Sequence, residues 1–373
     1  MKFCRFLSCC AVVCALTAAL AVPATASLAP GAPKYTPTIP PGYSSEVVLH
    51  VDYGTTPDKI RVDWAEDPTS EPASINHMRV VGDRFYLIDD VVHTIKQYRS
   101  PGTFVWETES FENLHYCAVA PDGKVYAAGG AAVDSLTCID DRGKVMWTKS
   151  FDDILPRKRM KQFGINVARS FARLQWTTDG LAALLYDENE DGGHRDMVLF
   201  LDRDGNPLRA LPGQLAAPDG TVYGYKVSNE RKPLPVSAIV GKDSKGKTVR
   251  TIRPDLGPNK ASRLAGNPSF FMAFADPTDG LIVNGHADVP SDVDTGKHKL
   301  RKLEAVFWRF GLQGNFKEEW RFPVSIFAHG RPEVVVGSDG CVYRLNFGET
   351  GIDVIKYSRG RKANPPSPPK PVR

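Results

Sequence analysis

Between Tyr116 and Phe151 the chain reads Y-C-A-V-A-P-D-G-K-V-Y-A-A-G-G and then, from Ser135, S-L-T-C-I-D-D-R-G-K-V-M-W-T-K-S-F. Ala118 to Ala120 meets Lys124 to Tyr126 across Pro121-Asp122-Gly123, where Gly takes the positive φ that a tight hairpin turn needs. Leu136 to Ile139 meets Val145 to Trp147 across Asp140-Asp141-Arg142-Gly143 in the same way. Two hairpins in succession make a four-stranded antiparallel sheet. Such a sheet cannot bury both faces alone, so a chain that repeats it must stack the copies.

Five further copies follow from the same signals. The first runs from Val80 through Arg84 to Ile88, Thr94 to Tyr98 and Thr103 to Trp106. The third holds Leu174 to Thr178, Leu181 to Tyr186, Met197 to Leu201 and Leu208 to Leu211. In the fourth, Ala216 to Tyr223 carries Pro218-Asp219-Gly220, and Ala238 to Val240 and Thr248 to Ile252 follow. The fifth holds Phe270 to Phe274, Leu281 to Val283, Ala305 to Phe310 and Phe316 to Phe322. The sixth has only three strands, Val334 to Val336, Cys341 to Tyr343 and Ile352 to Tyr357. Its missing outer strand is available as Glu46 to Val51, and that pairing predicts units arranged in a circle with no exposed sheet edge. An open solenoid of the same units is the competing arrangement.

The pattern from Glu46 to Tyr357 resembles the six-bladed β-propellers of the NHL and TolB-like groups, through the Asp-Gly of the first hairpin and a looser Asp-x-x-Gly in the second. The expected fold class is therefore all-β, a six-bladed β-propeller over residues 44–358, closed by an N-terminal strand. The likeness implies that both hairpin turns of every unit share one face. The long connections, Asp152 to Ala172, Arg253 to Ser269 and His286 to Arg301, then share the other, which is where propellers bind ligands.

Residues 1–26 read as a secretory signal peptide, with Lys2 and Arg5 ahead of an apolar stretch and Ala24-Thr25-Ala26 as the cleavage pattern. A secreted or periplasmic location follows, with no membrane association after cleavage. Residues 27–43 form a Pro-rich linker and 359–373 a basic, Pro-rich tail. Four of the seven cysteines leave with the signal, so Cys117, Cys138 and Cys341 do not make a disulfide framework. The whole chain carries 47 basic and 43 acidic residues, but the excess lies in the signal and the tail. No basic field covers the repeats, which argues against nucleic acid as a partner; the expected partner is an extracytoplasmic ligand or protein, and the expected state a monomer.

Asp187-Glu188-Asn189-Glu190-Asp191-Gly192 fits the opening of a calcium loop, with alternating oxygen ligands and a Gly at the sharp bend. Val198 stands where an EF-hand has Glu, and the loop instead resembles those of integrin-type propellers; the calcium ligands would be Asp187, Asn189, Asp191 and Asp196. An acidic, solvated loop is the alternative. His77, His115 and His329 lie near the starts of innermost strands and His286 ends a second strand. Three imidazoles converging there would resemble the zinc site of NHL-type amidating lyases, although no local His spacing supports zinc. Arg173 and Arg331 lie near the same starts and suit an anionic ligand. Arg157 to Phe163 is a basic helix or ordered loop, suited to a polyanion or simply to water. Asp141 to Trp147 resembles the tryptophan-docking repeat of quinone-dependent dehydrogenases, but only this copy has the full Gly-Lys-x-x-Trp, so no quinone is expected.

The function expected from the sequence is a binding module acting through the long-loop face on a glycan, peptide or protein, with His77, His115, Arg173, His286, His329 and Arg331 as ligand contacts. A metal-dependent propeller enzyme of the lyase or lactonase type is the alternative.

Overall fold

The structure, a computed structural model, describes residues 37–63, 74–129, 134–168, 170–188, 194–227, 236–257, 271–276, 280–289, 302–323, 334–348 and 350–359. Residues 1–36, which include the expected signal peptide, and 360–373, most of the expected basic tail, lie outside them. After β1 (Tyr43–Asp52), the first sheet holds β2 (Ile75–Val81), β3 (Arg84–Asp89), β4 (Thr94–Arg99) and β5 (Thr103–Glu107). The second holds β6 (Leu114–Val119), β7 (Val125–Gly129), β8 (Ser135–Ile139) and β9 (Val145–Ser150), followed by the short helices α1 (Phe151–Ile154) and α2 (Arg157–Gln162). The third holds β10 (Phe171–Thr177), β11 (Gly180–Glu188), β12 (His194–Leu201) and β13 (Pro207–Pro212), and the fourth β14 (Leu215–Ala216), β15 (Val222–Val227), β16 (Val236–Lys242) and β17 (Thr248–Ile252). The fifth holds β18 (Phe271–Asp276), β19 (Gly280–Val289), β20 (Lys302–Phe310) and β21 (Phe316–Pro323). The last strands are β22 (Val334–Val336), β23 (Val342–Phe347) and β24 (Gly351–Arg359).

Five sheets keep chain order, and in the other the order is β1-β24-β23-β22, all antiparallel. Val47 faces Ile355 and Val51 faces Ile352, so β1 is the outer strand beside β24. Four-stranded meanders stacked face to face define a β-propeller. Strands in the fifth and sixth sheets run longer than their apolar runs suggest. His286 accordingly sits inside β19, three residues short of its end, instead of closing the strand.

The core lies between sheets. Val80, Phe85 and Leu87 of the first sheet share a cluster with Leu49, Val51, Leu345 and Val354 around the last. Ile88 and Ile95 cluster with Cys117, Val125 and Ile139 of the second sheet, whose other face packs Tyr126 and Leu136 on Leu174, Leu185 and Leu199 of the third. Val198 and Phe200 reach Ala216 and Val222, Tyr223 and Ile239 reach Trp308 and Phe310, and Trp320 and Phe322 reach Val342 and Tyr357.

The turns show why Asp and Gly recur. Asp140, Asp202 and Asp243 each open a third-to-fourth-strand turn, and each Oδ1 accepts the backbone N–H groups two and four residues on. That local bonding is what makes Asp favourable in a turn. The backbone N–H donated by Lys144 holds the Asp140 carboxyl below the usual range.

Tryptophan docking is more extensive than one motif suggests. Trp106 of the first sheet lies on Gly143 in the turn of the second, and its Nε1 donates to the Asp141 carbonyl at 2.9 Å. Trp147 of the second sheet lies on Gly205 in the turn of the third. In the next interface Leu211 faces Gly246 instead. Gly143 and Trp147, read together as one motif, belong to two successive docks.

β1 carries a pH-sensitive contact. His50 Nδ1 lies 2.7 Å from Asp353 Oδ1 on β24 and Nε2 lies 3.2 Å from Asp52. The hydrogen bond with Asp353 raises the His50 pKa above its ordinary 6.5. A raised folded-state pKa adds stability that is full below 6.5 and fades as pH rises through the folded value. The pair is solvated, so the advantage of wild type over His50→Gln is about 0.5 kcal/mol at pH 5.5 and near zero at pH 9. Urea midpoints at the two pH values measure it; an advantage that grows with pH contradicts this assignment.

Candidate binding face

The first strands of three successive sheets share a local irregularity. Each is bulged near its start: β2 between Ile75 and His77, β6 between Leu114 and Tyr116, and β10 between Phe171 and Arg173. Pairing resumes at His77–Ile88, Tyr116–Ala128 and Arg173–Leu184, and in each case the partner stands three residues past the first apolar residue of the second strand (Phe85, Val125 and Leu181). His77, Tyr116 and Arg173 therefore occupy one position in three consecutive sheets, and His115 is the extra residue of its bulge. Bulges re-aim side chains, which is why they recur beside functional sites.

Around this position three rings lie together, and two further side chains bond the backbone of neighbouring strands. His77 is buried, its ring edge-on to Tyr116 with centroids 6.0 Å apart. Its Nε2 lies 3.4 Å from the Cys117 carbonyl, so the proton-bearing nitrogen donates into β6. Tyr116 stands 6.1 Å from the exposed ring of His115. Arg79, two residues beyond His77, donates through Nη1 to the Met78 carbonyl and through Nη2 to that of Leu174 at 3.1 Å, linking the first strand of the first sheet to that of the third. Asp134 Oδ2 accepts from the Phe171 N–H at 2.8 Å, and its carbonyl accepts from Phe151. Burial raises the Asp134 pKa, against the effect of His115. Two guanidinium groups and an exposed imidazole leave this end of the sheets favourable to a ligand with negative or hydrogen-bond-accepting groups.

Arg173 also lines a small recess of about 10 Å³ between the third and fourth sheets, with Gln175, Leu184, Val198 and Gln214. That volume admits about one water molecule. Gln214 donates through Nε2 to Asp196 Oδ2 at 2.5 Å, while its buried Oε1 has no partner among the described residues.

Two of the four expected calcium ligands, Asp187 and Asp196, lie among the described residues. Asp187 is in β11, fully buried, and its Oδ1 accepts from the N–H groups of Asn166 and Val167 at 2.8 and 3.0 Å while Oδ2 takes Arg195 at 2.7 Å. Its carboxylate anchors the connection into β10 instead of facing a solvated loop. Asp196 is in β12 and engaged by Gln214. Of the D-x-N-x-D run, Asp187 and Glu188 belong to β11, where they pair with Arg195 and His194. Asn189 and Asp191 lie outside the described residues, as do His329 and Arg331; of His286 only the backbone is described. Among the described residues no group of three or more His, Cys, Asp and Glu is placed to hold a metal ion. Tyr116, Arg79 and Asp134 were not singled out by sequence reasoning. Only the bulge register, which needs the pairing partners, brings them to His77 and Arg173.

No protein-family model matches the chain. No curated protein matches it either. Solved structures resemble it at low identity. The Dos1 propeller is 12% identical, covering 80% of this chain and 83% of its own, with a TM-score of 0.42. Streptogramin B lyase is 11% identical over 85% and 97%, with a TM-score of 0.41. A putative exported protein from Bacteroides fragilis is 11% identical over 84% and 99%, also with a TM-score of 0.41. At such values none of them bears on what this chain does. No described helix is long and apolar enough to cross a membrane.

Proposed function

We propose that this is an exported, six-bladed propeller, closed by β1, that binds an extracytoplasmic ligand at the end where β2, β6 and β10 begin. Six bladed units are supported by the six four-stranded sheets, and closure by the core cluster common to the first and last of them. Two contacts across that junction add to it: the Gly82 N–H donates to Ser338 Oγ at 2.9 Å, and Phe85 meets Tyr343 edge-on. An open solenoid would leave these surfaces apart.

The observation that carries the binding reading is the shared position of His77, Tyr116 and Arg173, with exposed His115 beside them. An aromatic, an imidazole and a guanidinium converging on one end of a rigid scaffold suit recognition of a glycan or peptide through stacking and charge-assisted hydrogen bonds. The test is a panel of extracellular polysaccharides and peptides screened by calorimetry. Any ligand found should weaken at least tenfold on Tyr116→Ala and on Arg173→Ala, with melting temperatures moving far less than affinity. A ligand whose affinity neither change alters places binding elsewhere and ends this reading.

A further inference from the structure

A second surface on the same connection is charged without compensation. From Ile154 to Thr178 the chain has Arg157, Lys158, Arg159, Lys161, Arg169 and Arg173 and no acidic residue, in a protein otherwise close to neutral. On α2, Arg157, Lys158, Arg159 and Lys161 are all exposed. None of these four has a hydrogen-bond or ion-pair partner among the described residues. Of the acids nearest in sequence, Asp153 is turned onto the Ser150 hydroxyl.

This arrangement works against the helix that carries it. Arg157 and Lys161 are four apart and Lys158 and Lys161 three apart, spacings at which like charges repel across a helix surface. Arg157 and Lys158 occupy the first turn, the end of the macrodipole that disfavours cations. That turn has no acidic residue, and its N-cap, Pro156, offers no side-chain hydrogen bond.

The helix is nevertheless held in place. Met160 is buried with Ile154, Leu155 and Ile165 in the cluster between the second and third sheets. The residues after the helix are fixed by Arg195 on the Gly164 carbonyl and by Asp187 on the Asn166 and Val167 N–H groups. The fold thus presents four cations on a fixed platform instead of dispersing them on a loose one.

We propose that α2 is a docking surface for an anionic polysaccharide, one bearing sulfate, phosphate or uronate groups. Its single apolar residue is buried, so the helix has no side to insert into a bilayer. It also presents no aromatic residue on which bases would stack. Repeated negative charge on a hydrated chain is what four unpaired cations on a six-residue helix match. The surface is separate from the His77, Tyr116 and Arg173 position and stands or falls independently of it.

The experiment measures binding of the full chain to heparin, as a model sulfated polysaccharide, against salt concentration. Releasing counterions makes the logarithm of affinity fall linearly with the logarithm of salt, with a slope of about one per contact. Replacing Arg157, Lys158, Arg159 and Lys161 with Ser should reduce that slope by about three and weaken binding more than tenfold at low salt. Replacing Arg361, Lys362, Lys370 and Arg373 of the tail with Ser should change it by less than about one. An unchanged slope in the helix variant overturns the proposal, as does a loss confined to the tail variant. Binding through the same four residues that is tighter to phosphatidylglycerol vesicles or to single-stranded thymidine oligonucleotides at equal salt also overturns it. The four side chains are exposed, so melting should be unaltered; should the quadruple variant unfold, the Arg157→Ser, Lys158→Ser double variant gives the same reading with about half the slope change.

Discussion

Lys96→Met should destabilise the protein by about 3–5 kcal/mol, the range for removing one partner of a buried ion pair. Lys96 is 1% exposed in the middle of β4, and its ammonium sits 3.4 Å from Asp89 Oδ2 and 3.2 Å from Glu107 Oε1. It also donates to the carbonyls of Pro57 and Lys59, at 3.2 and 2.5 Å. Those carbonyls belong to the segment that leaves β1 beside the last sheet and crosses to the first. Ile60 of that segment is fully buried, and the Arg61 N–H donates to Asp89. Methionine fills the space but leaves a fully buried carboxylate and two carbonyls without their cation, and an unpaired buried acceptor carries its whole desolvation cost.

Protonation gives this prediction a second check. Burial already raises the Asp89 pKa, and losing Lys96 raises it further. A carboxyl whose folded-state pKa is raised contributes stability below its unfolded value of 3.8 that is lost as pH rises through the folded value. The gap between wild type and Lys96→Met should therefore widen from pH 4.5 to pH 7.5 in urea denaturation. A deficit under about 1 kcal/mol at pH 7.5 would show that the clasp contributes little beyond its hydrophobic stem.

The architecture was legible because its determinants are local. Asp-Gly at 122–123 and Asp-x-x-Gly at 140–143 announce turns through bonds made within four residues, and alternation between them announces strands. Lys96 was not legible, because Thr-Ile-Lys-Gln-Tyr-Arg reads as a strand with one face in water, whereas β4 is buried on both faces up to its last residue. What covers the second face is a segment some forty residues earlier. The grouping at the candidate site was hidden for a similar reason. His77, His115 and Arg173 stood out as residue types near strand starts, but their grouping with Tyr116 and Arg79 depends on a bulge, a property of pairing that one strand's sequence does not contain. Asp187 opens a motif whose alternating acids suit a loop, but it lies in β11, and its carboxylate accepts from the Asn166 and Val167 N–H groups, a use that only the fold reveals.

Gly143→Ala should cost about 2–4 kcal/mol and act through Trp106. Gly143 has φ +84°, and an added Cβ would lie 2.9 Å from Cε3 and 3.0 Å from Cδ2 of the indole. The left-handed backbone alone costs a non-Gly residue about 1–2 kcal/mol. The rest is steric: Trp106 is 7% exposed and tied by Nε1 to Asp141, so it yields only by losing that bond. Gly205→Ala meets a similar approach, 2.8 Å from Cη2 of Trp147 at φ +76°, but Trp147 is only partly buried and has room to turn. The expected order is therefore Gly143 worse than Gly205. A double-mutant cycle separates the two contributions: in a Trp106→Ala background Gly143→Ala should retain only its backbone cost, an interaction energy of about 1–2 kcal/mol. If Gly143→Ala costs the same with and without the indole, the Trp106 dock is incidental contact and the interface between the first two sheets is held by the rest of its cluster, Ile88, Ile95, Cys117, Val125 and Ile139 among them.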